Sequence, residues 1–182
     1  MTRRLRLRPT MLSDLDFVAM IEHDARNLPF ITPWERTQHE GAVRFPDFRH
    51  FIVEHGEAAD ARDGFVILQG CRSPHRSVEL KRIVLQTKGL GLGRRCVQLL
   101  KAMAFRDLHA HRFWLDVKSL NTRALALYAD EGFAEEGRLR ESVRVNVGAA
   151  AAAGADGYDT LVVMSLLDRE YQARCALGLE PD

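Results

Sequence analysis

Cysteine is scarce in this chain of 182 residues: Cys71, Cys96 and Cys175 form an odd, widely spaced set with no Cys-x-x-Cys pair. That set argues against a disulfide framework and a zinc site, and it points to a reducing compartment. Long apolar runs are missing as well. No stretch approaches the length of a membrane span, and no uninterrupted apolar segment follows the N-terminal arginines as in a signal peptide. The expectation is a cytoplasmic protein without a membrane partner. Charge of one sign is not in excess either. A formal net charge of +1 gives bulk electrostatics no hold on a nucleic acid. The seven histidines include no His-x-x-x-His spacing; His109 and His111 read more simply as contacts at a helix C-terminus, and no metal is expected.

What remains is the composition of a soluble globular protein, 46% apolar and 28% charged, long enough to bury a proper core. With no internal repeat and no linker, a single domain over residues 1–182 is expected. Alternation predicts a first strand over residues 3–8 that stops at Pro9. Ser13 reads as a helix start, with Asp14 and Asp16 in the first turn. Pro29 to Trp34 is an aromatic loop bounded by prolines, and a short helix follows through Glu40 to Arg44. β-Branched and aromatic content predicts strands at about 49–54, 64–69 and 77–85. A long helix is expected over about 92–109, then a strand over 113–117, then a helix capped by Asn121 and ended by Gly132. Phe133 to Val147 and Tyr158 to Leu167 read as two more strands, joined by the Ala/Gly-rich stretch 148–157 as a hairpin tip. A C-terminal helix is expected over about 168–178. The order β-α-α-β-β-β-α-β-α-β-β predicts an α/β fold, a mixed central sheet with flanking helices.

The most informative stretch is Lys88-Gly89-Leu90-Gly91-Leu92-Gly93-Arg94-Arg95, glycines alternating with leucine and running into a helix-periodic segment. Glycine lets the backbone turn sharply, and a helix start adds unpaired N–H groups with the positive end of the dipole. Such a turn is a socket for phosphate or pyrophosphate. A dinucleotide fingerprint fails, because Arg94 stands where its third glycine belongs. A nucleotide-triphosphate loop fails too, because Gly93-Arg94-Arg95 supplies no hydroxyl for magnesium. The acetyl-CoA pyrophosphate loop, Arg/Gln-x-x-Gly-x-Gly/Ala, fits from Gln86 or, with lysine first, from Lys88. The second register is preferred because Gly93 directly precedes the helix.

Beyond the loop, His111 to Tyr128 and Glu131 to Arg140 carry a strand-x-Asn-x₆-Tyr-x₃-Gly-Phe pattern. With Val78 to Leu85 and the glycine loop, it makes the chain resemble the GCN5-related N-acetyltransferases, closely over 77–141. Within them it is similar to the bacterial group of ribosomal-protein N-terminal acetyltransferases. The resemblance implies a fold that splays two parallel strands, here about 78–85 and 113–117, into a V. Acetyl-CoA, the cosubstrate, would lie along Ile83, Val84 and Leu85. Its pyrophosphate would meet Lys88, Gly89 and the N–H groups from Leu90 through Leu92 and Gly93 to Arg95. Arg94 or Arg95 would add charged contacts.

Acetyl transfer needs an amine freed of its proton, a donor for the thioester oxygen, and an acid for the leaving thiolate. The resemblance makes Tyr128 the acid; taken alone, Tyr128 reads as a core residue of a short helix. Asn121 is a helix N-cap and, by the resemblance, a cofactor neighbour. Glu79 stands where some members carry a base. Alternation puts it on one face with Lys81, Ile83 and Leu85, and an ion pair with Lys81 or Arg82 is the competing reading. Backbone N–H at Val84 or Leu85 is the expected oxyanion donor. Phe30 and Trp34 line an acceptor pocket or cover the core, and the hairpin at 144–158 borders that pocket or does nothing. The acceptor is an amine on a small molecule or a protein N-terminus, and a homodimer is compatible with the reading. The many arginines speak mildly against a polycationic acceptor. A non-catalytic acyl-CoA sensor is the alternative, and the intact Tyr128 and Asn121 count against it.

Overall fold

The computed structural model describes residues 5–56, 61–145 and 157–181. Residues 3 and 4 of the first expected strand and 148–156 of the expected hairpin tip lie outside these. Among the described residues seven strands form one sheet: β1 (Leu5–Pro9), β2 (Arg49–His55), β3 (Arg62–Gln69), β4 (Ser77–Leu85), β5 (Arg112–Lys118), β6 (Ala134–Arg144) and β7 (Tyr158–Leu167). Their spatial order is β1-β2-β3-β4-β5-β7-β6. All neighbours are antiparallel except β4 and β5. Among the described residues five helices flank the sheet: α1 (Leu15–Glu22), α2 (Arg36–Arg44), α3 (Leu92–Ala102), α4 (Thr122–Asp130) and α5 (Asp168–Ala176). The expected order of elements is therefore present. Among the described residues, no helix is long and apolar enough to cross a membrane.

Each face of the sheet has its own core, because alternate residues of a strand point to opposite sides. On one face Val66, Leu68, Val78, Leu80, Phe113 and Leu115 pack against Val97, Leu100 and Ala104. On the other, Phe65, Ile67 and Val84 pack against Leu15, Val18 and Ile21 of α1.

Some boundaries differ from expectation for identifiable reasons. Ser13 does not open the first helix. Leu12–Asp14 form a 3-10 turn, and Asp14 is buried, accepting from the Met11 N–H at 2.8 Å and from two Arg8 nitrogens. Pro9 stays within β1 as its last paired residue, opposite Phe51, which a sheet edge tolerates. α2 begins a turn earlier than its sequence signal, at Arg36. The long helix does not run on as a uniform α-helix to 109. It widens into a π turn over Met103–Asp107, which turns both Ala104 and Phe105 inward; the Phe105 ring stacks on Tyr171 of α5 at 4.7 Å.

The register carries one consequential irregularity. Leu80 faces Leu68 on β3 while Arg82 faces Ile67, so Lys81 is an extra residue, a β-bulge. Before it, even-numbered residues of β4 join the core under α3; beyond it, odd-numbered Ile83 and Leu85 do. Glu79 therefore does not share a face with Ile83 and Leu85, contrary to simple alternation. A bulge also bends its strand and strengthens the local twist. β4 and β5 are paired only from Ser77 opposite Arg112 to Glu79 opposite Trp114; after that they part.

Beneath α3, Lys101 is fully buried between Glu131 and Glu180, at 2.8 and 2.6 Å. Arg94 braces Glu131 and Arg174 braces Glu180. Removing one member of such a cluster strands its partners as buried charges. Lys101→Met is expected to destabilise the fold by about 3–5 kcal/mol, read as a lower urea midpoint.

Candidate functional site

Where β4 and β5 separate, a cleft of about 1100 Å³ opens between them. Its walls include Leu80 to Leu85 on one arm and Asp116, Val117 and Lys118 on the other, with the glycine loop at one end. Each strand residue directs its backbone polar groups sideways. Past Glu79, those of β4 that point toward β5 meet no strand partner and remain for a ligand to pair with.

At the glycine end, Asp63 holds the turn out of β4, its carboxylate accepting from the Thr87 N–H at 3.2 Å and its carbonyl from the Gln86 N–H at 2.6 Å. Gly89 and Gly91 then adopt φ of +86° and +72°, the left-handed region that favours glycine. The Gly91 carbonyl accepts the first helical bond, from the Arg95 N–H at 3.2 Å. The N–H groups of Leu92, Gly93 and Arg94 precede that bond and point out of the helix end. A Cβ on Gly93 would lie 3.5 Å from a Leu127 methyl, an ordinary contact, so this glycine borders α4 without being required by space. Three cations gather here: Lys88 feels the charges of Arg26 and Arg123, and all three line the cleft. Burial first, then those two arginines, lower the Lys88 ammonium below its usual value. Free N–H groups, an open left-handed turn and clustered cations fit a pyrophosphate.

The expected site residues divide unevenly. Ile83, Val84, Leu85, Lys88, Gly89, Gly91, Leu92, Gly93, Arg94, Asn121 and Tyr128 all line the cleft, as do Phe30 and Trp34. Leu90 projects to solvent, 64% exposed, and does not line it. Arg95 is misplaced by the sequence reading. Its side chain borders a separate small hollow beside Leu5, Gln98 and Leu99, and its N–H is already used within α3. The Arg94 guanidinium is held by Asp130 and Glu131, both at 2.8 Å, which ties α3 to α4 instead of leaving it free. Glu79 is not a wall residue. It is buried on the other side of the bulge and accepts from Lys81 Nζ at 3.0 Å. Burial raises its carboxyl above the usual range, with Lys81 opposing and the Asp116 charge adding. The ion-pair reading of Glu79 is the one the geometry supports.

Asn121 caps α4 by accepting from the Ala124 N–H at 3.2 Å and faces the cleft from that position. Tyr128 stands at the foot of the V, 6% exposed, its ring edge-on to Phe133 at 5.7 Å. Its hydroxyl makes no hydrogen bond to another described residue. Burial above all, with the Asp116 carboxylate adding, pushes the phenol well above its usual value. It keeps its proton near neutral pH.

Among the wall residues that sequence reading missed are Arg26, Asp116, Lys118 and Arg123. For two of them a signal existed. Phe113, Leu115 and Val117 form the core side of β5, so Trp114, Asp116 and Lys118 alternate onto the other face.

Opposite the glycine loop, residues 27–34 cross the cleft as a strap. Lys88 Nζ donates to the Asn27 side-chain oxygen at 2.7 Å, Lys118 Nζ to the Pro29 carbonyl at 3.3 Å, and Arg82 to the Thr32 carbonyl at 2.8 Å. The Trp34 N–H donates to Glu22 at 3.2 Å, and the Arg82 guanidinium lies 5.0 Å from the Trp34 ring centre. Behind this wall runs a buried polar chain. Glu22 bonds Arg82 and His39, His39 bonds His50 at 3.1 Å, and His50 bonds Thr10 at 2.9 Å. Burial, then the His39 charge, pushes the His50 imidazole down to about 3. Burial works against the Glu22 charge, yet His39 and Arg82 hold its carboxyl below the usual range.

Known proteins resemble this chain in sequence and in fold. A family model described as an acetyltransferase (GNAT) domain matches residues 4–134. The spermidine N(1)-acetyltransferase of Escherichia coli strain K12 is 28% identical over 154 residues, covering 78% of this chain and 79% of that protein. Its Vibrio cholerae counterpart is 33% identical over 99 residues, 54% of this chain and 56% of that one. The crystal structure of the Vibrio cholerae spermidine N-acetyltransferase with CoA and spermine superposes with a TM-score of 0.78 at 25% identity. It covers 92% of this chain and 98% of that chain.

Two measurements probe the site. A carboxylate held below its unfolded value stabilises the fold above that value, about 4.3 for glutamate, and loses this as pH falls through the folded value. The urea midpoint of the wild type should therefore fall more steeply below pH 4 than that of Glu22→Gln. Gly91→Glu places a carboxylate and a strained left-handed backbone, about 1–2 kcal/mol, at the anion socket. It should weaken calorimetric CoA binding by about tenfold or more while lowering the melting temperature by only a few degrees.

Proposed function

We propose, from the premise that the chain belongs to the acetyltransferase (GNAT) family, that the V between β4 and β5 is where an acetyl group passes directly to an amine. The protein is an acetyl-CoA-dependent N-acetyltransferase. The observation that carries the placement is the meeting of Tyr128 and Asp116 on the walls of one cleft, past the point where the strands stop pairing.

Acetyl-CoA supplies the acetyl group as a thioester. The N–H groups at the start of α3, with Lys88, Arg26 and Arg123, hold its phosphates, and the unpaired edge of β4 along Ile83 to Leu85 takes its pantetheine arm. Asn121 fixes the start of α4, which carries Tyr128. The Tyr128 phenol, kept protonated by burial, gives its proton to the departing sulfur. The incoming amine arrives as an ammonium and must lose a proton. Asp116 is the carboxylate on this wall, exposed to the cleft and near enough for its charge to reach Tyr128. It takes that proton directly or through a water. A backbone N–H on the open edge of β4 faces the oxygen that gains charge.

One domain carries the whole activity in this reading, and its cysteines, all free, suit a reducing cytoplasm. Tyr128→Phe should lower kcat by about a hundredfold while leaving CoA affinity within about twofold. Asp116→Asn should lower kcat/KM most at low pH, where free amine is scarcest. An equally active Tyr128→Phe variant would remove the phenol from the mechanism.

A further inference from the structure

Lys118 stands out among the polar groups of the cleft. It is 5% exposed and lines the cleft near the end of β5. Among the described residues its ammonium has no carboxylate partner, and its one hydrogen bond is the 3.3 Å contact to the Pro29 carbonyl. Asp159 is the nearest source of negative charge that it feels. Among the described residues its Oδ1 accepts from Ser119 Oγ at 2.6 Å and the Thr160 N–H at 2.7 Å, its Oδ2 is buried without a hydrogen bond, and it forms no ion pair with Lys118 within 4 Å. Burying an ammonium without a paired anion is costly, and the cost falls when an anion arrives.

The other cations of this wall are already balanced. Lys81 is paired with Glu79, and Arg82 with the buried Glu22. Lys118 is left as the unbalanced positive charge on the amine-receiving side, and Arg82 is close enough to add to the local potential. The phosphate-holding cations Lys88, Arg26 and Arg123 form a separate group at the glycine end. Trp34 and Phe30 supply an apolar wall at the same mouth.

We propose that Lys118 is the anchor for a carboxylate carried by the acceptor, so that the preferred substrate is an aminocarboxylate with an apolar or aromatic body and not a polyamine. This rests on the acetyltransferase reading above. A polyamine would bring only positive charge toward a buried ammonium that has no carboxylate in contact with it, and like charges in a poorly solvated cleft repel. An aminocarboxylate offers its amine toward Asp116 and Tyr128 and its carboxylate to Lys118. A buried charge-assisted hydrogen bond of that kind discriminates strongly against an analogue lacking it.

The test is a matched panel assayed by CoA-thiol release. Phenylalanine is compared with phenethylamine, tryptophan with tryptamine, and lysine with cadaverine, with spermidine alongside. The carboxylated member of each aromatic pair is expected to show at least about tenfold higher kcat/KM, and spermidine the lowest value. In Lys118→Met this ratio should fall toward one through a raised KM, while Lys118→Arg, which keeps the charge, should retain part of it. Preference for spermidine or for the decarboxylated amines overturns the anchor and leaves the acetyltransferase reading standing. A uniform loss of kcat on every amine in Lys118→Met also overturns it, and would make the lysine a proton acceptor. Failure of all the amines in a protein that binds CoA would overturn the catalytic reading itself.

Discussion

The site depends on the early end of one parallel strand pairing. Had β4 and β5 stayed bonded along their length, the sheet would be continuous and there would be no cleft. Pairing ends after Glu79, and the extra residue at Lys81 follows at once. The bulge bends β4 away and exchanges its two faces, so that Arg82 and Val84 turn to the α1 side while Ile83 and Leu85 pack under α3. Backbone groups that lose their partners inside a fold must find others. Here they line a cleft, and an extended ligand can take the place of the missing strand. The glycine turn, the start of α3 and the foot of α4 all converge on that opening.

Most of the fold was legible because it follows from periodicity. Strands β2 to β5 and β7 appear as β-branched or aromatic runs between turn residues, and the second half of the chain carries a specific motif. The bulge was not legible, since one additional residue leaves composition and pattern intact while inverting every side chain beyond it. The misplacement of Glu79 follows from that. Asp14 overtook Ser13 at the first helix for a tertiary reason: the Arg8 partner comes from β1 and is invisible to local pattern. Arg95 was credited to the socket because it adjoins the glycines, yet a helix turn of about 100° per residue carries it off that side. Asp116 and Lys118 were readable from the alternation of β5, whereas Arg26 and Arg123 reach the site only through folding.

The chain shares its architecture with spermidine acetyltransferases over most of its length. Architecture fixes where a thioester and an amine can meet; it does not fix which amine arrives. In the proposed reading the residues that meet the acceptor lie on one face of β5 and on the strap, whose Ile31 and Trp34 also pack against the core beside α1. The polar chain from Thr10 to Glu22 supports this wall from behind. It touches the cleft only through Arg82 and Trp34, so the strap has a firm backing that contributes no acceptor chemistry of its own.

The strap itself is held quite differently from the sheet beneath it. Residues 27–32 are tied across the opening by three side-chain bonds, from Lys88, Arg82 and Lys118, instead of by a ladder. Each such bond contributes only about 1–3 kcal/mol net, far less than the cooperative unfolding of a sheet. The strap adds to those three bonds its own backbone turns from Asp24 to Ile31 and the packing of Ile31 and Trp34 on the core beside α1. Its backbone amides should exchange with solvent through small openings that leave β3 and β4 protected, on a timescale set by those few contacts. Ligand anions that draw Lys88 or Lys118 away would loosen the same segment. The rim of the cleft and the groups that would meet a ligand's anions thus share one small set of cations.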